Sequence, residues 1–144
     1  MMKCKDIMTP NPRTCSPQDL SIEPAKIMRD EDVGIVPVVE ENQKLVGVVT
    51  DRDLCLGVVA EEKHPREVKV ADCMSEELIT CKPEDNVQKA QELMQEYQVR
   101  RIPVVDDQGR IVGMIAQADI ALKVGKPEEV TETVKNISKP AQAA

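Results

Sequence analysis

The sequence predicts an α/β (α+β) fold made of two copies of one small unit. Three observations carry that expectation. Residues 6–54 match the chain again, without a gap, after a shift of 66. Within each copy, apolar runs of strand length alternate with apolar stripes at helical spacing. The length of 144 residues suffices for one compact domain or two very small ones.

The repeat is dense. Asp6 falls on Asp72, Met8 on Met74, Thr14-Cys15 on Thr80-Cys81 and Pro17 on Pro83. Asp19 meets Asp85, Met28 meets Met94, and Val33 meets Val99. Pro37-Val38-Val39 meets Pro103-Val104-Val105, Val46-Gly47 meets Val112-Gly113, and Asp53 meets Asp119. A unit of about 60 residues hides only about 60% of its unfolded surface and is marginal alone. The copies are therefore expected to share a core about a pseudo-two-fold axis. Such an axis produces two equivalent clefts.

Each copy reads strand, helix, strand, strand, helix. In the second, Pro83-Glu84-Asp85 reads as an acidic first helical turn, which suits the helix dipole. Val87, Ala90, Met94 and Tyr97 follow as an amphipathic stripe. Ile102 to Val105 and Ile111 to Ile115 flank the polar turn Asp106-Asp107-Gln108-Gly109-Arg110, a hairpin. Pro103 marks an edge or a stop in pairing. Gln117 to Val124 closes the copy as a helix. The first copy repeats this with Ile35 to Val39, Leu45 to Val49 and a helix from Asp51. Pro24 is tolerated only in a first turn, so its first helix is expected to start near Ser21. The resulting division is repeat 1 at 3–60, a charged linker at 61–69, repeat 2 at 70–125, and a C-terminal helix and tail at 126–144. Lys126-Pro127 would open that last helix, with Val130, Val134 and Ile137 as its stripe.

Composition narrows the function. The net charge of −7 disfavours nucleic acid, whose non-specific binding is driven by phosphate neutralisation. The single aromatic residue, Tyr97, leaves no base-stacking platform. No apolar run approaches the roughly 20 residues of a membrane-spanning helix. Nothing apolar follows Met1 to Asp6 to act as a secretion signal, so a cytoplasmic location is expected, with no membrane partner. Five cysteines without a Cys-x-x-Cys pair, and His64 as the sole histidine, argue against a metal site. Cys15 and Cys81 read first as packed hydrophobes, with redox sensitivity as the alternative.

No phosphate-binding Walker loop, Gly-x-Gly-x-x-Gly or Gly-x-Ser-x-Gly is present, and His64 stands in the charged linker. An enzyme is therefore not expected. The informative stretch is Gly47-Val48-Val49-Thr50-Asp51-Arg52-Asp53, where a strand runs into a helix. Thr50 offers a hydroxyl to a phosphate oxygen. Asp53 can accept from two vicinal ribose hydroxyls. Arg52 can pair with phosphate. Gly47 lets a ligand or a backbone approach closely. The competing account is an N-cap, with Thr50 capping and the two aspartates complementing the dipole. In the second copy Asp119 keeps the carboxylate, Ala116 loses the hydroxyl, and Ala118 loses the arginine. Arg100-Arg101 are candidate replacements. Adjacent strand residues face opposite ways, so one of them turns inward.

The paired Pro-Val-Val and Gly-h-h-Thr-x-x-Asp signatures (h apolar), with Asp-Ile-Met-Thr-Pro at 6–10, resemble a tandem pair of cystathionine-beta-synthase (CBS) domains, a Bateman module. The resemblance covers roughly residues 3–125 and extends to small stand-alone bacterial CBS-pair proteins. It implies two repeats with their sheets packed together, and a regulatory module that senses adenosine-containing ligands (AMP, ADP, ATP or S-adenosylmethionine) in its clefts. Carried onto this chain, Asp53, Thr50 and Arg52 make one site, and Asp119 with Arg101 the other. Val36, Pro37, Ile102 and Pro103 would enclose the adenine. The segments from Met8 to Thr14 and from Met74 to Thr80 would line the base pockets. The resemblance implies an adenine nucleotide as regulatory ligand, no required cofactor, a homodimer, and action on an unidentified regulated protein. Ala116 departs from the pattern and weakens the second site. A ligand-free interaction scaffold of a stress response is the alternative function.

Overall fold

The computed structural model describes residues 2–124 and 134–138. Its contacts divide the chain into two units whose composition departs from repeat order. The first unit holds Pro12–Leu78 and Gln108–Ile111, hence all of the first hairpin and helices. The second holds the described residues of Met1–Asn11, Ile79–Asp107 and Val112–Ala144. Residues 2–11, which open repeat 1, thus belong with repeat 2. The segment that opens repeat 2 belongs with repeat 1. Repeats and compact units are different partitions of the chain.

In the first unit, helix α2 (Ile22–Glu31) begins beside Ser21, and Pro24 is buried in its first turn. That start is where proline's missing N–H and fixed φ do no harm. Ser21 is buried, and its hydroxyl donates to the Pro65 carbonyl at 2.6 Å, tying the linker down. Strands β2 (Ile35–Glu40) and β3 (Lys44–Thr50) form an antiparallel hairpin in which Ile35 faces Thr50 and Glu40 faces Lys44. Val36, Val38 and Val49 point into a core with Cys15, Ile27 and Val70. Strand β3 runs without a break into helix α3 (Asp51–Leu54), which continues as a π-helical turn, Cys55–Val59.

In the second unit, helix α1 (Cys4–Ile7) and strand β1 (Thr9–Pro10) come from the start of the chain. They join helix α4 (Val87–Tyr97), strands β4 (Arg101–Val105) and β5 (Ile111–Ala116), and helix α5 (Gln117–Lys123). The sheet order is β1-β5-β4. Ile7, Met94, Ile102, Val104, Ile115 and Ile120 form its core, and Ile137 packs there too. Pro103 stands on the terminal strand of that sheet, as a residue without an N–H should.

The units are assembled alike. Cys15 bridges β2 in parallel, and its N–H donates to the Pro37 carbonyl at 3.0 Å. Cys81 bridges β4 in the same way, with its N–H on the Pro103 carbonyl at 3.2 Å. On the far side of each hairpin a borrowed segment adds itself. Val48 and Ser75 exchange N–H···O bonds of 3.0 and 2.8 Å. Thr9 pairs with Met114, and Pro10 with Gly113.

Two expectations change, and a third is not tested. Pro83-Glu84-Asp85 is a turn before α4, not its first turn. Asp85 Oδ2 accepts from the Lys82 N–H at 2.8 Å, which folds the chain ahead of the cap residue Asn86. Tyr97 leaves the buried stripe and is exposed, while Gln91 is buried instead. The expected start of the last helix at Lys126-Pro127 lies outside the described residues, although residues 134–137 are helical.

Candidate functional site

Thr50 ends β3 with extended backbone, and Asp51 starts a helix. That junction brings Thr50 and Asp53 into direct contact. Thr50 Oγ1 accepts from the Asp53 N–H at 3.0 Å, and Asp53 Oδ2 accepts from the Thr50 N–H at 2.9 Å. This is a reciprocal capping box, so the structural account of these two residues is realised. It leaves Asp53 Oδ1 without a protein partner among the described residues, on a half-buried side chain. The Thr50 hydroxyl accepts from the backbone and still has its own proton to donate. One pair of groups can thus serve both cap and ligand.

The neighbours follow from the hairpin register. Ile35 lies opposite Thr50, and Val36 opposite Val49, so the start of β2 flanks the site. Val36 and Pro37 are buried. Thr14 is half-buried just ahead of the Cys15 bridge. Arg52 is exposed, and its N–H donates to Asp51 Oδ1 at 2.8 Å. Cys73 is close by. Burial first, then the carboxylates of Asp53 and Asp72, push its thiol up. Gly47 owes its identity to backbone: a Cβ there would lie 2.7 Å from the Ser75 carbonyl oxygen. Of the two approaches that the sequence allowed at Gly47, the structure contains the backbone one.

The second unit repeats the junction with one part missing. Asp119 Oδ2 accepts from the Ala116 N–H at 2.7 Å, but Ala116 has no side-chain acceptor to return the bond. Ile102 and Pro103 are buried on β4, and Thr80 is half-buried ahead of Cys81. Arg101 is half-buried at the start of β4, whereas Arg100 is exposed. The Arg100 carbonyl accepts from the Gln117 N–H at 2.8 Å, as the Gly34 carbonyl accepts from Asp51 at 3.0 Å. Gly113 is closed off by the Met8 sulfur and by the Thr9 carbonyl, 3.1 Å from a notional Cβ. Sequence reasoning did not single out Lys123. Its ammonium donates to the Ile7 carbonyl at 3.0 Å and stands 3.9 Å from Asp119 Oδ1. The signal was available, because the same shift of 66 places Lys123 on Gly57.

Cys15 and Cys81 are buried. Desolvation, then Asp19 and Cys73, pushes the Cys15 thiol up to about 12. A hydrogen bond with Cys4, then burial, raises Cys81. Thiols held neutral in this way are poor nucleophiles. A cavity of about 700 Å³ in the first unit is lined by Ser16, Val39, Glu40, Glu41, Asn42 and Lys44. It lies at the turn end of the hairpin, opposite Thr50, and its two glutamates do not suit a phosphate. Among the described residues no cluster of His, Cys, Asp and Glu could hold a metal ion. No described helix is long and apolar enough to cross a membrane.

Comparison with known proteins decides the family. The family model for the CBS domain matches twice, at residues 4–59 and 70–126. The chain belongs to the CBS domain family. The CBS domain-containing protein YhcV of Bacillus subtilis is 36% identical over 138 residues, 96% of each chain. Protein MK0525 of Methanopyrus kandleri is 38% identical over 107 residues, and there the match spans only 55% of the relative's length. Among solved structures, the CBS domain pair of protein MJ0100 in complex with 5′-methylthioadenosine and S-adenosylmethionine has a TM-score of 0.77 and 29% identity. It covers 86% of this chain and 96% of its own. CBSX2 in complex with AMP has a TM-score of 0.72 and 27% identity, over 86% of this chain and 98% of its own. This CBS pair is thus an α+β regulatory module by family.

Proposed function

We propose that this CBS pair is a sensor of adenosine-containing nucleotides, binding AMP, ADP, ATP or S-adenosylmethionine and acting through dimer geometry or a regulated partner protein. The observation that carries the reading is Asp53. One of its oxygens is committed to the Thr50 N–H at 2.9 Å, and the other has no protein partner among the described residues, at a strand-to-helix junction. A carboxylate so held can accept from the two hydroxyls of a ribose at no cost in side-chain ordering. Adenosine ligands in two related CBS pairs support the choice of ligand class. Thr50 and Arg52 are proposed to meet phosphate in the first unit; in the second, Asp119 is proposed to hold ribose and Arg101 to meet phosphate. Val36, Pro37, Ile102 and Pro103 present the apolar wall, and Thr14 and Thr80 the polar edge. The cytoplasm is the proposed compartment. The chain itself carries out no reaction in this reading.

A homodimer fits the surface. Leu56 and Val59 are 50% and 72% exposed, and Leu122, which aligns with Leu56 in the repeat, is 82% exposed. Apolar side chains repeated on the last helix of both units favour self-association. Sedimentation should give a dimer that Leu56→Glu with Leu122→Glu converts to monomer.

The test is calorimetric titration of the four ligands against wild type and Asp53→Ala. At least one should bind wild type and weaken about tenfold or more in the variant, the loss of a hydrogen bond to a charged group. Silence from all four would sink the reading. A ligand-free scaffold is the second reading, and the use of Thr50 and Asp53 as a reciprocal capping box favours it. A nucleotide that copurifies, visible as excess absorbance at 260 nm over a chain with one tyrosine and no tryptophan, would exclude it.

A further inference from the structure

Positions 57 and 123 are equivalent in the repeat, and so are positions 73 and 7. In both units the structure sets the members of these pairs against each other. In the first unit a Cβ on Gly57 would come within 2.9 Å of the Cys73 Cβ, so the borrowed segment leaves no room for a side chain. In the second unit the same place holds Lys123. Its ammonium is tethered by the Ile7 carbonyl at 3.0 Å and leans to 3.9 Å from Asp119 Oδ1. Asp119 Oδ2 is already used by the Ala116 N–H. The oxygen left for a ligand is therefore the one beside the cation. Ala116 supplies no hydroxyl, and Ala118 no guanidinium, so this junction has lost two groups that the Asp53 junction keeps.

We infer that Lys123 is a specificity-determining residue of the Asp119 site: it makes that site select adenosine ligands that carry phosphate over those that do not. This deepens the function proposed above and rests on it. An ammonium has three donors. One is spent on Ile7, which fixes the charge in place, and the others can turn to a phosphate oxygen. A neutral adenosine gains nothing from that charge and meets a carboxylate already partly paired. At the Asp53 junction that position is closed to a side chain, because a Cβ on Gly57 would displace Cys73, and the cation proposed for phosphate there is Arg52 instead. The two sites of one chain would then reach a ligand's phosphate with different residues, Arg52 in one and Lys123 in the other.

The experiment isolates the second unit in an Asp53→Ala background, with Asp53→Asn as a substitute that keeps an acceptor for the cap. AMP and adenosine are titrated into that background alone and with Lys123→Met or Lys123→Arg. Lys123→Met should weaken AMP by about tenfold and leave adenosine within about twofold, since only a charge-assisted bond is lost. Lys123→Arg should keep the preference for AMP. Raising salt should erode AMP binding in the Lys123 background and much less in Lys123→Met. Equal losses for both ligands, accompanied by a lower Tm, would mean that Lys123 merely anchors Ile7, and the inference fails. Unchanged AMP affinity in Lys123→Met also overturns it, while wild-type binding keeps the nucleotide reading intact. If wild type binds neither AMP nor adenosine, this inference falls, and the nucleotide reading falls with it only where ADP, ATP and S-adenosylmethionine are silent as well.

Discussion

The two units solve one folding problem with different residues, and the differences separate architecture from function. Both need a borrowed segment on the open side of a hairpin, and both place a glycine under it. Both close a strand-to-helix junction with an aspartate on the N–H three residues back, at 2.9 Å in the first unit and 2.7 Å in the second. These shared parts are the frame. The variable parts stand around the carboxylates: Thr50 against Ala116, Gly57 against Lys123. A third difference lies where the borrowed segments dock. Lys3 meets Glu84 at 2.6 Å, whereas the equivalent Lys69 meets a neutral amide, Gln18, at 3.2 Å.

The largest expected effect tests the core. Ile102→Ala removes a fully buried side chain and should cost about 2–5 kcal/mol. Val36→Ala, at the equivalent position, deletes less and should cost less. Urea denaturation of both variants compares the units directly, and an equal loss would mean that the sites relax differently.

The glycines come next. Gly47→Ala forces a Cβ against the Ser75 carbonyl, which is backbone, and should cost about 1–3 kcal/mol. Gly113→Ala meets chiefly the Met8 side chain, which can swing aside. The double variant Gly113→Ala with Met8→Ala should recover part of the loss, and no such rescue is open to Gly47. Thermal melts would reveal an opposite ranking if the crossing of the borrowed segments differs from that described.

The caps should exchange. Thr50→Ala turns the first junction into the second and should cost about 1 kcal/mol, whereas Ala116→Thr should stabilise by a similar amount. A neutral Ala116→Thr would mean that a hydroxyl there finds no partner.

The smallest effect concerns acid. Lys3 and Lys5 hold the Glu84 carboxyl down at about 2. A depressed folded value contributes stability above the unfolded carboxylate range, about 4.3, and loses it as pH falls towards 2. Hydrogen exchange of α1 and β1 should therefore quicken over that window. Glu84→Gln should flatten the response, and Gln18→Glu should create one in the first unit. The pairs are exposed and screened by salt, so the change will be modest.

Much of this was legible in the sequence, because the repeat supplied two readings of every element. The hairpins, the start of α2 beside Pro24 and the helix from Asp51 follow from local chemistry, and so does the Thr50/Asp53 junction. What local chemistry could not supply is which hairpin each short segment would join. Thr9-Pro10 and Ser75 are too brief to carry a strand pattern, and their partners lie some 100 and 27 residues away in sequence. Gly47 therefore stayed ambiguous between ligand and backbone until Ser75 was placed. The start of α4 was misread because Asp85 turns back on Lys82, and a helix and a turn both welcome acidic residues there. Lys123 escaped notice because its meaning lies in Ile7, far away in the chain.

The exchange of segments also imposes a timetable on synthesis. Residues 2–11 leave the ribosome well before the rest of their unit, and the hairpin that they complete emerges only with Ala116. The first unit, by contrast, has all but four of its residues once Leu78 is out. Residues 2–11 must wait uncommitted while the first unit condenses, so deleting them should injure the second unit rather than the first.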